Sequence, residues 1–245
     1  MPDSKYELLF LDFDGVIVDS TKECAALTWY AGKDVTKQTL SSLLSVVPDW
    51  FDQRFRYLRP YMRTLDDFLV SRLISSDIRV ESQDEFLELR SGIDASAIED
   101  FVQDANALRS YWRSHDYRTW LGSHVIFDGI HDLLERYSKR VYVVTAKDTE
   151  SSQDILDHFG LEQHISGIIG EAHDKALAVN SICLGRYVDP RATLFIDDNI
   201  VNCVRVSGTG ATVNWAAWGW TSLAHFEAAG SANLAKLEMA DMMYI

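Results

Sequence analysis

Residues 8–20 read LLFLDFDGVIVDS, an apolar run that ends in two aspartates with one residue between them, followed by a glycine. A short apolar run of this kind indicates a strand that is buried on both faces of a parallel sheet. Side chains two positions apart on a strand point the same way, so Asp12 and Asp14 can converge at its carboxyl end. Two carboxylates this close repel each other unless a cation or a shared proton compensates. The pair therefore predicts a catalytic site.

The composition is that of a folded protein with a sizeable core. The chain has 245 residues, of which 47% are hydrophobic and 11% aromatic. Its formal net charge of -14 argues against nonspecific binding to nucleic acid or to an anionic membrane, since both need basic surfaces. The cysteines, Cys24, Cys183 and Cys203, form no Cys-x-x-Cys pair, which favours reduced, packed thiols in a cytoplasmic protein.

Targeting segments are not expected. The first residues, MPDSKYE, lead directly into the predicted strand, so we expect no signal peptide. No apolar segment approaches the length needed to span a bilayer. We therefore expect neither a membrane nor a nucleic acid as partner.

A long helical segment interrupts the strand pattern after the first strand. Ser20 followed by Glu23 fits a capping box and predicts a helix to about Tyr30. Pro60 stands where a further helix could begin, and two more helices are predicted around residues 85–89 and 95–117. The segment 18–120 is therefore predicted to be an inserted, all-helical domain. The remaining core domain is discontinuous and comprises residues 1–17 and 121–245.

Strands and helices alternate in the second half of the chain. The predicted strands are 140–145, 165–169, 193–198 and 211–215, and the predicted helices are 130–137, 151–159 and 176–184. Such alternation is typical of a parallel sheet with right-handed crossovers. We therefore expect an α/β fold, with a Rossmann-like, doubly wound parallel sheet as its core.

Four groups of polar residues stand at the carboxyl ends of strands or directly before a helix. They are Asp12-x-Asp14-Gly15-Val16-x-x-Asp19-Ser20, Thr145, Lys175 and Asp197-Asp198. In order and strand context they resemble the four motifs of the haloacid dehalogenase (HAD) superfamily, whose members are mostly phosphatases. The resemblance covers about residues 5–20 and 121–225, and it identifies the inserted segment as a helical cap domain. A calcium loop fits poorly, because the aspartate pair follows a strand and the ligand spacing fails.

The resemblance implies a role for each of these residues. Asp12 would be the nucleophile that forms an aspartyl-phosphate, and Asp14 the general acid and then the base. Thr145 and Lys175 would bind the phosphoryl group and take part in catalysis. Mg²⁺ would bind Asp12, the backbone carbonyl of Asp14 and an aspartate of the fourth motif.

The fourth motif departs from the usual pattern of the superfamily. The common form is Gly-Asp-x-x-x-Asp, whereas residues 197–202 read DDNIVN. In that frame Asp198 is the expected direct metal ligand, Asp197 occupies the glycine position and Asn202 replaces the second carboxylate. Because an Asp-Asp pair is also a familiar variant, Asp197 and Asp198 are both candidate metal ligands.

The inserted segment carries a group of basic residues: Arg54, Arg56, Arg59, Arg63 and Arg72. Arg56, Arg59 and Arg63 would share one face of a continuous helix, but Pro60 can break that register. One interpretation is that Arg59 binds an anionic part of a substrate. The alternative is a solvated or salt-bridged helix face.

Taken together, these residues predict a phosphoric monoester hydrolase. The expected activity is the Mg²⁺-dependent hydrolysis of a small phosphorylated metabolite by a cytoplasmic monomer or homodimer. Three alternatives stay open at this point. Two, a phosphosugar mutase and a phosphonate hydrolase, belong to the same superfamily, and the third is a non-catalytic binding protein on the same fold.

Overall fold

The computed structural model describes residues 5–75 and 77–245, which form two compact units. Of these, residues 5–19 and 126–245 form the sheet unit, and residues 20–75 and 77–125 form the helical unit. The predicted domain limits, after residues 17 and 120, stay predictions. The inference about a signal peptide rests partly on residues 1–4, which lie outside the described residues. Within the described part of the chain, no helix combines the length and apolar character needed to cross a membrane.

The sheet unit is built on a six-stranded sheet whose neighbouring strands are all parallel, in the order β5-β4-β1-β6-β7-β8. In chain order, the strands of the described residues are β1 (Leu8–Leu11), β2 (Val18–Asp19), β3 (Val125–Ile126), β4 (Val141–Val144), β5 (Ile165–Ile169), β6 (Thr193–Asp197), β7 (Thr212–Ala216) and β8 (Ala235–Leu237). The predicted α/β fold with a parallel sheet and flanking helices is confirmed.

Most of the remaining chain is helical. The described α-helices are α1 (Thr21–Tyr30), α2 (Leu40–Ser45), α3 (Asp49–Leu58), α4 (Leu69–Leu73), α5 (Gln83–Ser91), α6 (Ala95–His115), α7 (Tyr117–Leu121), α8 (Ile130–Arg136), α9 (Thr149–His158), α10 (Lys175–Arg186), α11 (Ile200–Ser207) and α12 (Leu223–Ser231). Short 3-10 helices cover Arg59–Tyr61, Leu65–Phe68, Glu162–His164, Pro190–Ala192 and Met239–Tyr244.

Strand β1 lies between β4 and β6 and is buried on both faces. Phe10 faces one side, where it packs with Tyr142 and Phe195 of the neighbouring strands and with apolar residues of α10, α11 and α12. Leu9 and Leu11 point to the other side and are also fully buried. This explains the uninterrupted apolar run, because a strand covered on both faces has no position for a polar side chain.

The helical unit has its own aromatic core. Helix α1 packs against α3 and α6. Phe51 and Phe55 of α3 and Trp112 of α6 are among its fully buried side chains. A unit of about a hundred residues with such a core can bury enough apolar surface to hold its helices together.

Two predictions in this unit are wrong, the capping box at Ser20 and the helix at Pro60. Helix α1 does begin after Ser20 and end at Tyr30, but the Ser20 side chain makes no capping hydrogen bond. Glu23 is buried and pairs with Arg109 of α6 instead, because a charged partner compensates its desolvation better than a backbone amide. The helix expected at Pro60 is only a 3-10 turn, and the next α-helix starts at Leu69.

One element of the sheet was not predicted. Strand β8, Ala235–Leu237, pairs with β7 at the edge of the sheet. Only Leu237 of its residues is buried, so the segment lacks the apolar run that marks β1, β4 and β6. A three-residue edge strand leaves almost no signal in a sequence.

Candidate active site

The fold places Asp12 and Asp14 immediately after the central strand β1. The backbone N–H of Asp12 still donates to the carbonyl of Ile196 on β6, at 3.0 Å, so its position is fixed by the sheet. Its Oδ1 accepts a hydrogen bond of 2.7 Å from the N–H of Phe13. Asp14 begins a tight turn in which the N–H of Gly15 donates to the carbonyl of Val18, at 2.8 Å. The predicted carboxylate pair therefore stands at the carboxyl edge of the sheet, where α/β folds bind ligands.

Lys175 joins two of the strand ends. It is the first residue of α10, and the side chain of Asp174 caps this helix by accepting from the N–H of Leu177. The Lys175 Nζ lies 2.8 Å from Asp12 Oδ1 and 2.8 Å from Asp197 Oδ2. Burial lowers the pKa of Lys175, but the carboxylates of Asp12 and Asp197 outweigh it and raise the pKa above its ordinary value. The ammonium group is therefore charged and fixed between the two carboxylates.

The two aspartates of the fourth motif have different partners. Besides Lys175, Asp197 Oδ2 accepts from the Asn202 side-chain amide at 3.1 Å, and Oδ1 accepts from the N–H of Asn199 at 2.8 Å. Asn199 itself caps helix α11. Asp198 Oδ2 accepts from the backbone N–H of Trp220 at 2.8 Å. Asp197 is thus held by donors of its own motif and by Lys175, which favours Asp198 as the direct metal ligand.

Burial makes the charged form of Asp12 unfavourable. Desolvation raises the pKa of Asp12 to about 7; the Lys175 ammonium opposes this shift, and the Asp197 carboxylate adds to it. A carboxyl group with such a pKa binds a cation in competition with a proton. Near neutral pH, a nearby cation therefore decides whether Asp12 is ionised.

The donor set fits a hard divalent cation. Asp12, Asp197 and Asp198 are buried, and each offers a carboxylate oxygen within 4.8 Å of the others. Together with Asp14 they make four carboxylates, and two ammonium groups, Lys147 and Lys175, lie beside them. When all four carboxylates are ionised, the site carries an excess of two negative charges. Oxygen ligands are those that Mg²⁺ prefers, and a divalent cation would neutralise this excess of negative charge. The chemistry of these residues therefore matches the predicted metal.

Thr145 stands directly after β4, on the strand next to β1, as predicted. It is buried, and its Oγ1 accepts a hydrogen bond of 3.1 Å from the backbone N–H of Lys147. Because this bond uses the oxygen as acceptor, the hydroxyl proton is the group that Thr145 offers as a donor.

Lys147 is a site residue that the sequence reasoning missed. Its side chain is buried, and its Nζ lies 3.6 Å from Asp14 Oδ2. A signal was present, because Lys147 follows Thr145 by two residues at the carboxyl end of a buried strand. A lysine at that edge of the sheet is close to the carboxylates of the neighbouring strand.

Arg59, the predicted substrate-binding arginine, belongs to the helical unit. Its guanidinium group stacks on the ring of Phe68, 5.2 Å from the ring centroid, and Nη1 donates to the carbonyl of Met62 at 3.0 Å. Helix α3 ends at Leu58, so Arg56, Arg59 and Arg63 share no continuous helix face. Arg56 instead pairs with Asp52 at 2.7 Å. These contacts favour the salt-bridged, structural interpretation for this group.

A family model describes most of this chain. The model for haloacid dehalogenase-like hydrolases matches residues 6–203. This range includes all four sequence motifs and the helical unit. The comparison with curated proteins gave no match.

Several solved structures share the fold. One from Bacteroides fragilis, described as a haloacid dehalogenase-like hydrolase, is 16% identical with a TM-score of 0.68 and covers 98% of this chain and 100% of its own. A haloacid dehalogenase-like family hydrolase from Streptococcus pneumoniae is 20% identical, with a TM-score of 0.62 and coverage of 96% and 94%. A protein from Haemophilus somnus, described as a predicted phosphoglycolate phosphatase, is 18% identical, with a TM-score of 0.61 and coverage of 99% and 98%.

These structural similarities lie below the identity at which function can be transferred, so they support the fold alone. The family match over residues 6–203 carries more weight, because it spans the strand ends at Asp12, Thr145 and Asp197 and the start of α10 at Lys175. The chain belongs to the haloacid dehalogenase-like hydrolases.

Proposed function

We propose that this hydrolase is a Mg²⁺-dependent phosphatase that cleaves a small organic phosphate monoester through an aspartyl-phosphate intermediate. One observation carries the proposal. Asp12 and Asp14 stand together at the end of the central strand, and the buried Lys175 links Asp12 to Asp197 of the fourth motif. Burying several charged groups together costs desolvation free energy, and a non-catalytic protein would have no need for such a cluster.

Asp12, Asp198 and the backbone carbonyl of Asp14 would hold the metal ion. Asp197 would serve mainly to hold Lys175, since its oxygens accept from that side chain and from the amides of Asn199 and Asn202. When bound, Mg²⁺ would supply charge neutralisation for the carboxylates and for the phosphoryl oxygens. Its presence also favours the ionised form of Asp12, which is the form that can act as a nucleophile.

Asp12 is the proposed nucleophile. One of its carboxylate oxygens attacks phosphorus, and the bond from phosphorus to the leaving oxygen breaks as Asp14 donates a proton to that oxygen. The alcohol leaves, and Asp14 is then a carboxylate that can take a proton from water. The oxygen of that water attacks phosphorus and breaks the bond between phosphorus and Asp12. This step releases inorganic phosphate and restores the Asp12 carboxylate and the protonated Asp14.

Lys175 and Thr145 are the proposed phosphate-binding residues. The Lys175 ammonium group is held by two carboxylates, so it is already oriented when a phosphoryl group arrives. Thr145 can donate its hydroxyl proton to a phosphoryl oxygen. Preorganised donors stabilise charge that develops in the transition state without reorganising during the reaction.

The substrate is proposed only as a class, a small phosphorylated metabolite. The Haemophilus somnus neighbour carries the name of a predicted phosphoglycolate phosphatase, which makes phosphoglycolate a reasonable compound to test. Arg59 stays a predicted substrate-binding residue, although its contacts with Phe68 and Met62 favour a structural role.

The test is phosphate release from a panel that holds phosphoglycolate, sugar phosphates, nucleotides and an aryl phosphate. Activity should require Mg²⁺ and should be lost in Asp12→Asn. The matched control is Asp157→Asn, which makes the same change at an exposed position of α9 and should leave the rate unchanged. Sugar phosphate that is isomerised without phosphate release would indicate a mutase instead. No turnover of any compound would contradict the proposal.

A further inference from the structure

The loop between β7 and α12 contains two tryptophans and touches the site from the side of Asp198. We call residues 217–221, AWGWT, the Trp loop. The N–H of Trp220 donates to Asp198 Oδ2 at 2.8 Å, and the indole Nε1 of Trp218 donates to the carbonyl of Val16 at 3.2 Å. The loop is therefore bonded both to the fourth motif and to the turn that follows Asp14.

Gly219, between the two tryptophans, lies very close to Asp198 and to Gly15. A Cβ at this position would overlap the Cβ of Asp198 and would lie 2.5 Å from the carbonyl oxygen of Gly15. A Cβ on Gly15 would likewise overlap Asp198 Oδ2. The Asp198 side chain thus lies against the backbones of two glycines, and a side chain added at either position would have to displace it.

The main chain of Asp198 is also fixed. The indole Nε1 of Trp215, on β7, donates to the carbonyl of Asp198 at 2.8 Å. This bond lies in the buried interior, because Trp215 is fully buried. The carbonyl, the carboxylate and the Cβ of Asp198 are therefore each in contact with the β7 strand or the loop that follows it.

From this geometry we infer that the Trp loop is a positioning segment, which holds the Asp198 carboxylate in the orientation that binds the metal ion. The inference rests on the metal site in the proposed function. No residue of the loop is assigned a contact with metal or substrate. The loop acts through Asp198, as residues that hydrogen-bond to metal ligands commonly do.

The first test is Gly219→Ala, with Mg²⁺ affinity measured by isothermal titration calorimetry. Gly219 does not lie in the left-handed region, so alanine strains no backbone angle there, and the added methyl group acts on Asp198 and on the carbonyl of Gly15. We expect the Kd for Mg²⁺ to rise at least about tenfold. We also expect the KM for Mg²⁺ to rise in parallel, while kcat recovers at saturating Mg²⁺.

Gly230→Ala is the matched control. Gly230 lies in α12 of the same unit, and a Cβ there would meet nothing within 4 Å. The control should bind Mg²⁺ as the wild type does. Both variants are compared as folded proteins. If the loop served only for packing, Gly219→Ala would change the melting temperature but not the Kd for Mg²⁺. That result would overturn the inference.

If Gly219→Ala does not fold, Trp218→Phe carries the test. This change keeps the aromatic ring and removes the indole N–H that donates to Val16. We expect a severalfold rise in the Kd for Mg²⁺, and an unchanged Kd would overturn the inference. The proposed metal site itself would fail only if the wild type bound no Mg²⁺. If the wild type and the folded variants bound Mg²⁺ equally well, the loop would have no positioning role, and the proposed function would be unaffected.

Discussion

Asp197 and Asp198 are neighbours in the sequence, but their carboxylates have different partners. Asp197 is surrounded by donors from Lys175, Asn199 and Asn202, whereas Asp198 accepts from the Trp loop. From the sequence both residues were candidate metal ligands, with Asp198 expected as the direct one. Asn199 and Asn202, which donate to Asp197, belong to the same motif. The contacts with Lys175 of α10 and with the β7–α12 loop depend on segments that are distant in the sequence.

Lys175 should stabilise the folded protein as well as serve the reaction. Lys175→Met leaves the buried carboxylates of Asp12 and Asp197 without their shared cation. We expect the free energy of unfolding, measured with urea in the absence of Mg²⁺, to fall by about 3 kcal/mol. Lys236→Met makes the same change in the half-exposed ion pair with Glu238 and should cost less than about 1 kcal/mol. Equal losses in the two variants would contradict this account of the buried pair.

The pKa of Asp12 predicts a pH dependence for metal binding. A carboxyl group with a pKa of about 7 is protonated below neutral pH and binds a cation only after losing its proton. The affinity for Mg²⁺ should therefore rise about tenfold between about pH 6 and about pH 8. Calorimetry in buffers of different ionisation enthalpy should detect a proton released on binding near pH 6. An affinity that did not change over this range would speak against Asp12 as a ligand.

At the scale of elements, a buried ion pair joins α1 to α6 in the helical unit. Arg109 Nε and Nη2 donate to the two oxygens of Glu23, at 2.8 and 3.2 Å, and both side chains are buried. Such a bidentate pair fixes the geometry between the two helices. Removing one partner leaves an uncompensated charge, whereas removing both leaves an apolar contact.

Arg109→Met should therefore destabilise the protein more than the double change Glu23→Leu with Arg109→Met. We expect a loss of about 3 kcal/mol for the single variant, and recovery of most of it in the double variant, by urea unfolding. If the double variant lost as much as the single variant or more, the pair would contribute net stability rather than orientation.

At the level of elements, the sequence predicted five of the strands in the sheet, β1, β4, β5, β6 and β7. Strands β1, β4 and β6 are short apolar runs that end in polar residues, and each was placed to within one or two residues. The capping box at Ser20 was wrong because a distant residue, Arg109, competes for Glu23. The helix at Pro60 was wrong because proline permits a helix start without requiring one. Of these two failures, only the first depends on a tertiary contact.

At the scale of the whole molecule, the sheet brings together residues that are far apart in the chain. Parallel strands place their carboxyl ends at one edge, so polar residues that follow β1, β4 and β6 meet there. The sequence could therefore predict that Asp12, Asp14, Thr145 and Asp197 form one site. The position of Lys147 after β4 was a signal that the prediction missed. The contact of the Trp loop with Asp198 could not be predicted, because it depends on loop conformation.

Asp12 is proposed to carry the phosphoryl group during the reaction, and this group can be trapped on the protein. Asp14→Asn removes the base that activates water, and an aryl phosphate has a leaving group that needs no proton. The variant is mixed with this substrate and Mg²⁺, quenched in acid and digested for mass spectrometry. We predict a phosphoryl group on Asp12. An unmodified Asp12, in a protein whose wild type hydrolyses the same substrate, would contradict the account.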